Sequence, residues 1–92
     1  MNVVIYKYEC KETVCLPQGS IILDCQAQNG VPVFWAIVEP MRDKTRKITF
    51  KVIGTGNEFD STDLMGFSHF KTVQDNAGFV WHIFANETGV KE

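Results

Sequence analysis

Residues 20–38 read SIILDCQAQNGVPVFWAIV, and this stretch decides the fold. Asn29-Gly30 stands between two apolar runs, and a two-residue type I′ turn needs positive φ at both central positions, which Asn and Gly tolerate. The stretch therefore predicts a β-hairpin. Alternation with period 2 in its first strand predicts four inward-facing residues, Ile21, Leu23, Cys25 and Ala27.

The second strand of this hairpin, residues 31–38, is apolar on both faces. A strand of this kind is covered on both sides, either at the centre of a barrel or at an interface between subunits. We therefore expect a homo-oligomer and take Phe34, Trp35 and Ile37 as its interface residues. Large aromatic residues in a small β domain are usually part of the core, so that alternative stays open for Trp35.

Further strand patterns flank the hairpin, at residues 3–10, 11–16, 47–53, 67–74 and 79–85. Turn signals separate them about every eight to twelve residues, as in antiparallel β proteins. No stretch has the pattern of a long helix, although Asp60 offers N-cap chemistry for one short helical turn. We predict an all-β fold, a small antiparallel barrel or sandwich of six to seven hairpin-linked strands. The polar tail, residues 86–92, is expected to fray.

Size and composition indicate one compact β domain over residues 1–92, since 45% of the 92 residues are hydrophobic. The net charge of −2 argues against a general nucleic-acid binder. The N-terminus lacks the features of a signal peptide, and no apolar run is long enough to span a membrane. Three cysteines without a signal peptide do not suggest a disulfide framework. We therefore expect a cytoplasmic protein with no membrane partner.

One candidate binding site combines a glycine-rich bend with basic residues. Gly54-Thr55-Gly56 can form a backbone nest for an anion, although no helix pattern and no P-loop lysine follow it. Arg46 and Lys47 precede it in a basic stretch, and an anionic ligand would meet both side chains and the backbone N–H groups. The alternative is a glycine bend that ends a strand beside a solvated basic face.

Other residues give weaker signals for chemistry. His69 or His82 would serve as a general base only with a suitable neighbour, which the sequence does not show. The spacing of Cys10, Cys15 and Cys25 fits no common zinc pattern, and an acidic trio, Glu58, Asp60 and Asp63, lacks the spacing of a calcium loop. We therefore predict no metal, no cofactor and no catalytic residue.

Several short motifs resemble, in their order along the chain, a family of small phage and prophage proteins classed as a domain of unknown function. They are Leu16-Pro17-Gln18-Gly19 with Ile22-Leu23, Gln28-Asn29-Gly30 with Trp35-Ala36-Ile37-Val38, Phe50 with Gly54-Thr55-Gly56, Thr72-Val73-Gln74, and Phe79-Val80-Trp81-His82-Ile83-Phe84. The resemblance implies a phage-type context and a compact β fold, and it carries no established activity. Asn57 departs from it, because a histidine is expected after Gly-Thr-Gly.

These observations favour a non-enzymatic, oligomeric binding protein of phage type that sequesters or blocks a host component, with a possible role in counter-defence. Its target would be a host protein, bound through anchors such as Trp35, or a small nucleotide-like anion. One alternative is a small phosphoesterase-like enzyme that uses His69 or His82. Another is a structural assembly protein of the virion.

Overall fold

The computed structural model describes residues 2–88 and confirms the all-β prediction. Seven strands form two antiparallel sheets, and the one helical element is a 3₁₀ turn, Ser61–Leu64, which Asp60 caps as predicted. Within residues 2–88 no helix is long and apolar enough to cross a membrane. The strands are β1 (Val4–Glu9), β2 (Thr13–Leu16), β3 (Ile21–Gln28), β4 (Val31–Val38), β5 (Arg46–Gly54), β6 (Ser68–Gln74) and β7 (Val80–Thr88).

The predicted hairpin is confirmed as β3–β4. Gln28 pairs with Val31, which leaves Asn29 and Gly30 as the two turn residues. Their φ angles are 53° and 79°, so both adopt the left-handed conformation that a type I′ turn requires. Asn29 is the one residue other than glycine with positive φ among residues 2–88.

The inward face predicted for β3 is wrong in its first half. Ile21 and Leu23 are 58% and 48% exposed, whereas Cys25 is buried. A β-bulge between Ile22 and Asp24 inserts an extra residue and shifts the alternation, so that Ile22 packs against the core instead. The run Ile-Ile-Leu offers an apolar residue to either face, and so its alternation does not reveal the shift.

The chain passes between the two sheets at the junction of β1 and β2. Strand order is β1-β4-β3 in the three-stranded sheet and β2-β5-β7-β6 in the four-stranded sheet. The Cys10 N–H donates to Pro32 O in the first sheet, and the Phe50 N–H donates to Glu12 O in the second. A salt bridge of 2.7 Å between Lys71 Nζ and Asp24 Oδ1 joins β6 to β3 at the other side. The two sheets therefore form a sandwich, and the continuous chain from β1 to β2 closes one of its sides.

The connection between β5 and β6 is a crossover rather than a hairpin. Both strands are antiparallel to β7, which lies between them, so residues 55–67 must cross the sheet to reach the start of β6. The Lys51 ammonium lies 5.3 Å from the centre of the Phe67 ring, which places the end of the crossover against the outer face of the four-stranded sheet. This outer face is therefore partly covered by the chain itself.

Strand β7 continues to Thr88, although the sequence predicts its end at Ala85 and a frayed tail over residues 86–92. Asn86, Glu87 and Thr88 pair with the first residues of β5. Residues 89–92 of the predicted tail lie outside the described residues.

Phe34 is the centre of the core. It is 0% exposed, and its ring centroid lies 5.3 Å from those of Tyr8 and Phe50 and 6.3 Å from that of Phe70. Because Tyr8 and Phe34 belong to the three-stranded sheet and Phe50 and Phe70 to the four-stranded sheet, this aromatic cluster holds the two sheets together.

We expect Phe34→Ala to lower the free energy of unfolding by about 3–5 kcal/mol, because it removes a fully buried ring that contacts both sheets. The matched control is Phe59→Ala, since Phe59 lies in the crossover and is 49% exposed. Urea denaturation of both variants measures the difference. Equal losses of stability would contradict a central role for Phe34.

Candidate functional site

The structure does not bring together the five residues of the predicted anion site. Arg46 and Gly54 are the first and last residues of β5, a strand of 9 residues. At about 3.3 Å per residue, the two ends lie about 26 Å apart, too far for one small ligand. Lys47 is exposed near the Arg46 end of the strand.

Arg46 is occupied by contacts within the protein. Its Nε atom lies 2.6 Å from Glu87 Oε2 and its second terminal nitrogen 3.1 Å from Glu87 Oε1, a two-pronged ion pair between β5 and β7. A third hydrogen bond runs from the guanidinium to the Ser20 carbonyl. Arg46 therefore links β5 to β7 and to Ser20, the residue before β3, and its charge is paired with Glu87.

The Gly54-Thr55-Gly56 bend serves a tight turn and close packing. Gly54 is buried, and a Cβ atom there would lie 2.8 Å from Asn57 Nδ2 and 3.0 Å from the Trp81 ring. The Asn57 N–H donates to Gly54 O, and Gly56 has a φ of 90°. These features match the glycine bend that the sequence left open as an alternative.

The Trp81 side chain is hydrogen bonded to the β6–β7 turn. Its indole Nε1–H donates to Asp75 Oδ2 at 3.0 Å. The other carboxylate oxygen accepts the N–H groups of Ala77 and Phe79. The Trp81 hydrogen bond and these backbone N–H groups hold the pKa of Asp75 below its usual range.

The cysteines do not form a metal site. Cys10 Sγ and Cys25 Sγ lie 4.0 Å apart, and Cys15 is exposed on another strand. The hydrogen bond to Cys25 and burial raise the pKa of Cys10, so it remains a thiol at neutral pH. Among residues 2–88, no three His, Cys, Asp or Glu side chains converge as metal ligands.

A chain of four polar side chains lies on the outer face of the four-stranded sheet, and we call it the relay. Thr55 Oγ1 is 2.7 Å from His82 Nε2, and His82 Nδ1 is 3.1 Å from Thr72 Oγ1. Thr72 Oγ1 is in turn 2.8 Å from His69 Nε2. Both histidines noted in the sequence are thus linked through one hydroxyl group. The relay also contains Thr55, the one residue of the predicted anion site that meets a histidine.

An exposed apolar surface covers the outer face of the three-stranded sheet, and we call it the apolar face. Ile5, Ile37 and Ile21 form one row across β1, β4 and β3, and Trp35 lies in the adjacent row of β4 beside Leu23. Ile5 is 59% exposed, close to the value for Ile21, while Trp35 and Ile37 are half-buried. Of the three residues predicted for an interface, Trp35 and Ile37 lie on this face and Phe34 lies in the core.

Sequence reasoning missed two parts of these surfaces. Ile5 and Ile21 join Ile37 only through the strand order and the bulge in β3, which alternation alone does not give. Thr72 gave no sign of a chemical role in the sequence, because that role depends on lying opposite His82 in the β6–β7 ladder. A search for polar residues at outward positions of paired strands would have found it, once the register was known.

Fold and surfaces define a small two-sheet β protein with one exposed apolar sheet face and one polar, histidine-containing sheet face. The family model for the domain of unknown function DUF7352 matches residues 1–92, and the chain belongs to this family. No curated protein and no solved structure matches the chain significantly.

We expect Asp75→Asn to flatten the acid side of the stability curve. The pKa of Asp75 is lowered in the folded protein, so its carboxylate stabilises the fold above the unfolded pKa of about 3.9, and this contribution is lost as the pH falls through the folded pKa. Thermal unfolding between about pH 6 and pH 2 measures the effect. Asp63→Asn, in the 3₁₀ turn, is the control. A wild-type curve and an Asp75→Asn curve of the same shape would contradict the assignment.

Proposed function

We propose that the chain is a non-enzymatic binding protein that self-associates through the apolar face and sequesters or blocks a component of a host cell. The observation that carries the proposal is the row of Ile5, Ile37 and Ile21 beside Leu23 and Trp35 on one uncovered sheet face. Monomeric proteins rarely expose a contiguous apolar patch of this kind unless it binds something. The phage-type context and the counter-defence role rest on the sequence resemblance alone.

Charge at the two borders of the apolar face favours a second copy of the chain as its occupant. Lys7 on β1 and Asp24 on β3 lie in the same row, on either side of Trp35. Lys71 and the Cys25 N–H lower the pKa of Asp24, which keeps its carboxylate ionised. Lys7 Nζ also donates to Gln28 Oε1 at 3.0 Å, and Asp24 is paired with Lys71, so a second copy would share both charges with these partners.

A twofold rotation makes such a face complementary to itself. If the axis runs parallel to β4 between two facing copies, β1 of one copy lies over β3 of the other. Lys7 then faces Asp24 of the second copy, Ile5 faces its Ile21, and the two Trp35 rings meet at the centre. Opposite charges thus border an apolar centre on both sides, which is the usual arrangement of a specific interface.

We expect Ile21→Glu to weaken self-association at least about tenfold, because a carboxylate would be buried without a partner. Met65→Glu is the matched control, since Met65 is 74% exposed and lies in the crossover beside the four-stranded sheet. Sedimentation velocity and native mass spectrometry over a range of protein concentrations measure the effect. A wild-type protein that is monomeric at every concentration would refute self-association.

Charge exchange tests the orientation of the two copies. Lys7→Glu alone should weaken association, because it places a carboxylate opposite Asp24 of the second copy. The double variant Lys7→Glu with Asp24→Lys should regain most of the affinity, although it also loses the Lys71–Asp24 bridge within each chain. If the double variant associates no better than Lys7→Glu, the twofold arrangement described above is incorrect.

A second candidate function, a phosphoesterase-like enzyme, is favoured by the relay. His82 contacts a hydroxyl at each ring nitrogen and is thereby oriented, so that its Nε2 can accept a proton through the Thr55 hydroxyl. In such a reaction, water adds to phosphorus and passes a proton to Thr55 Oγ1, whose own proton passes to His82 Nε2. The bond from phosphorus to the leaving oxygen breaks, and the leaving alkoxide takes up a proton from solvent.

The enzymatic candidate predicts that the wild-type protein hydrolyses bis-p-nitrophenyl phosphate faster than buffer and that His82→Gln lowers this rate at least about a hundredfold. Release of p-nitrophenol measures it. Thr49→Val, on the same sheet face and outside the relay, is the control. A wild-type rate equal to that of buffer, or a His82→Gln rate equal to that of Thr49→Val, would count against an enzyme.

A further inference from the structure

The relay has more hydrogen-bonding nitrogens than hydroxyl protons. Thr72 Oγ1 lies within hydrogen-bonding distance of both His69 Nε2 and His82 Nδ1, but a hydroxyl group carries one proton. At least one of these two ring nitrogens must therefore donate to Thr72. With both rings neutral, the tautomers decide the direction: Thr72 donates to one histidine and accepts from the other, or it accepts from both.

Protonation of the two histidines leaves a single direction for all the hydrogen bonds of the relay. A protonated imidazole is a donor at both nitrogens, so His82 then donates to Thr55 Oγ1 and to Thr72 Oγ1, and His69 also donates to Thr72 Oγ1. Neither threonine has an acceptor left within the relay. The hydroxyl protons of Thr55 and Thr72 must point out toward solvent, where both residues are exposed.

Two outward O–H donors thus appear together with two positive charges. Histidine is the side chain whose ordinary charge change falls between about pH 5 and 8, so the relay is tested at two pH values within this range. A group of donors and positive charge on one surface is the arrangement that binds an oxyanion.

The remaining charges around the relay are unevenly placed. The outward positions of β5 include Lys47 and Lys51. Along β6, and along β7 as far as the structure describes it, no outward position carries a carboxylate. The residues of opposite sign are on the crossover, and they are Glu58, Asp60 and Asp63. The Asp60 carboxylate is engaged with the backbone N–H and the hydroxyl of Thr62, and these bonds lower its pKa. Glu58 and Asp63 are therefore the crossover carboxylates whose negative charge would repel an anion at the relay.

We propose that the relay is a pH-dependent binding site for the phosphate group of a small phosphorylated molecule. The phosphate accepts hydrogen bonds from Thr55 and Thr72, and the protonated rings of His69 and His82 supply the positive charge. Lys51, in the neighbouring row of the sheet, adds a further positive charge to the same face. This inference deepens the proposed binding function, on which it rests, by giving a ligand class and a site, and it replaces Arg46 and Lys47 as the ligand-binding residues.

The experiment is a titration of the full chain with inorganic phosphate, followed by amide and imidazole NMR signals, at about pH 6 and about pH 8. The expected result is saturable shifts at Thr55, His69, Thr72 and His82, with at least about tenfold tighter binding at the lower pH. Adenosine monophosphate in place of phosphate tests the source of the group. Tighter binding of the nucleotide at the same residues identifies a nucleotide, and equal binding identifies phosphate alone.

Thr72→Val removes the shared hydroxyl and keeps a β-branched residue that suits a strand. It should weaken phosphate binding at about pH 6 at least about tenfold. Thr49→Val, at an outward position of the same sheet, should leave binding unchanged. Thermal unfolding shows whether both variants remain folded. If Thr72→Val is unfolded, His82→Gln takes its place in the experiment.

Equal phosphate binding at both pH values, equal binding by Thr72→Val and wild type, or shifts confined to Arg46 and Lys47 would overturn the site. Because the relay and the apolar face belong to different sheets, Ile21→Glu separates the two proposals. If Ile21→Glu is monomeric and still binds phosphate, both stand. If the wild-type protein never self-associates but binds phosphate at the relay, the anion site stands and the proposed self-association fails.

Discussion

The contact of Phe34 with the rings of Tyr8, Phe50 and Phe70 is the interaction on which the rest of the structure depends. A chain of this size buries a modest core, so a few aromatic contacts account for much of the attraction between its two sheets. With Phe34 directed inward, alternation along β4 directs Trp35 and Ile37 to the opposite face. The core and the exposed apolar face are therefore two consequences of one strand's orientation.

Local features of the fold were predictable because they depend on neighbours in sequence. Asn29-Gly30 fixed the β3–β4 turn, and Asp60 capped the short 3₁₀ turn, each through its own backbone or side-chain preference. The inward face of β3 was not predictable in the same way. Three consecutive apolar residues, beginning at Ile21, fit either face, and the bulge that chooses between them depends on how β3 packs against β4.

The candidate sites depended on strand register to a still greater degree. Arg46 and Gly54 are close in sequence, which suggested a common pocket, but an extended strand separates its ends as far as a chain can. His69, Thr72 and His82 showed the opposite behaviour, since pairing of β6 with β7 brings them together. Arg46 also shows why a basic residue is not necessarily free to bind an anion, since its charge is paired with Glu87, 41 positions away in the sequence.

The bulge in β3, together with a register irregularity in β6, has a consequence for two of the four sheet edges. Strands β3 and β6 are edge strands, and each has a register irregularity, near Leu23 in β3 and between His69 and Lys71 in β6. A straight edge strand is a template for further chains, whereas a bulge and an adjacent charge interrupt its row of free N–H and C=O groups. The Lys71–Asp24 bridge lies at both irregularities. The distortion that turns Ile21 and Leu23 outward thus also interrupts the free edge of β3, and the irregularity in β6 does the same for its edge.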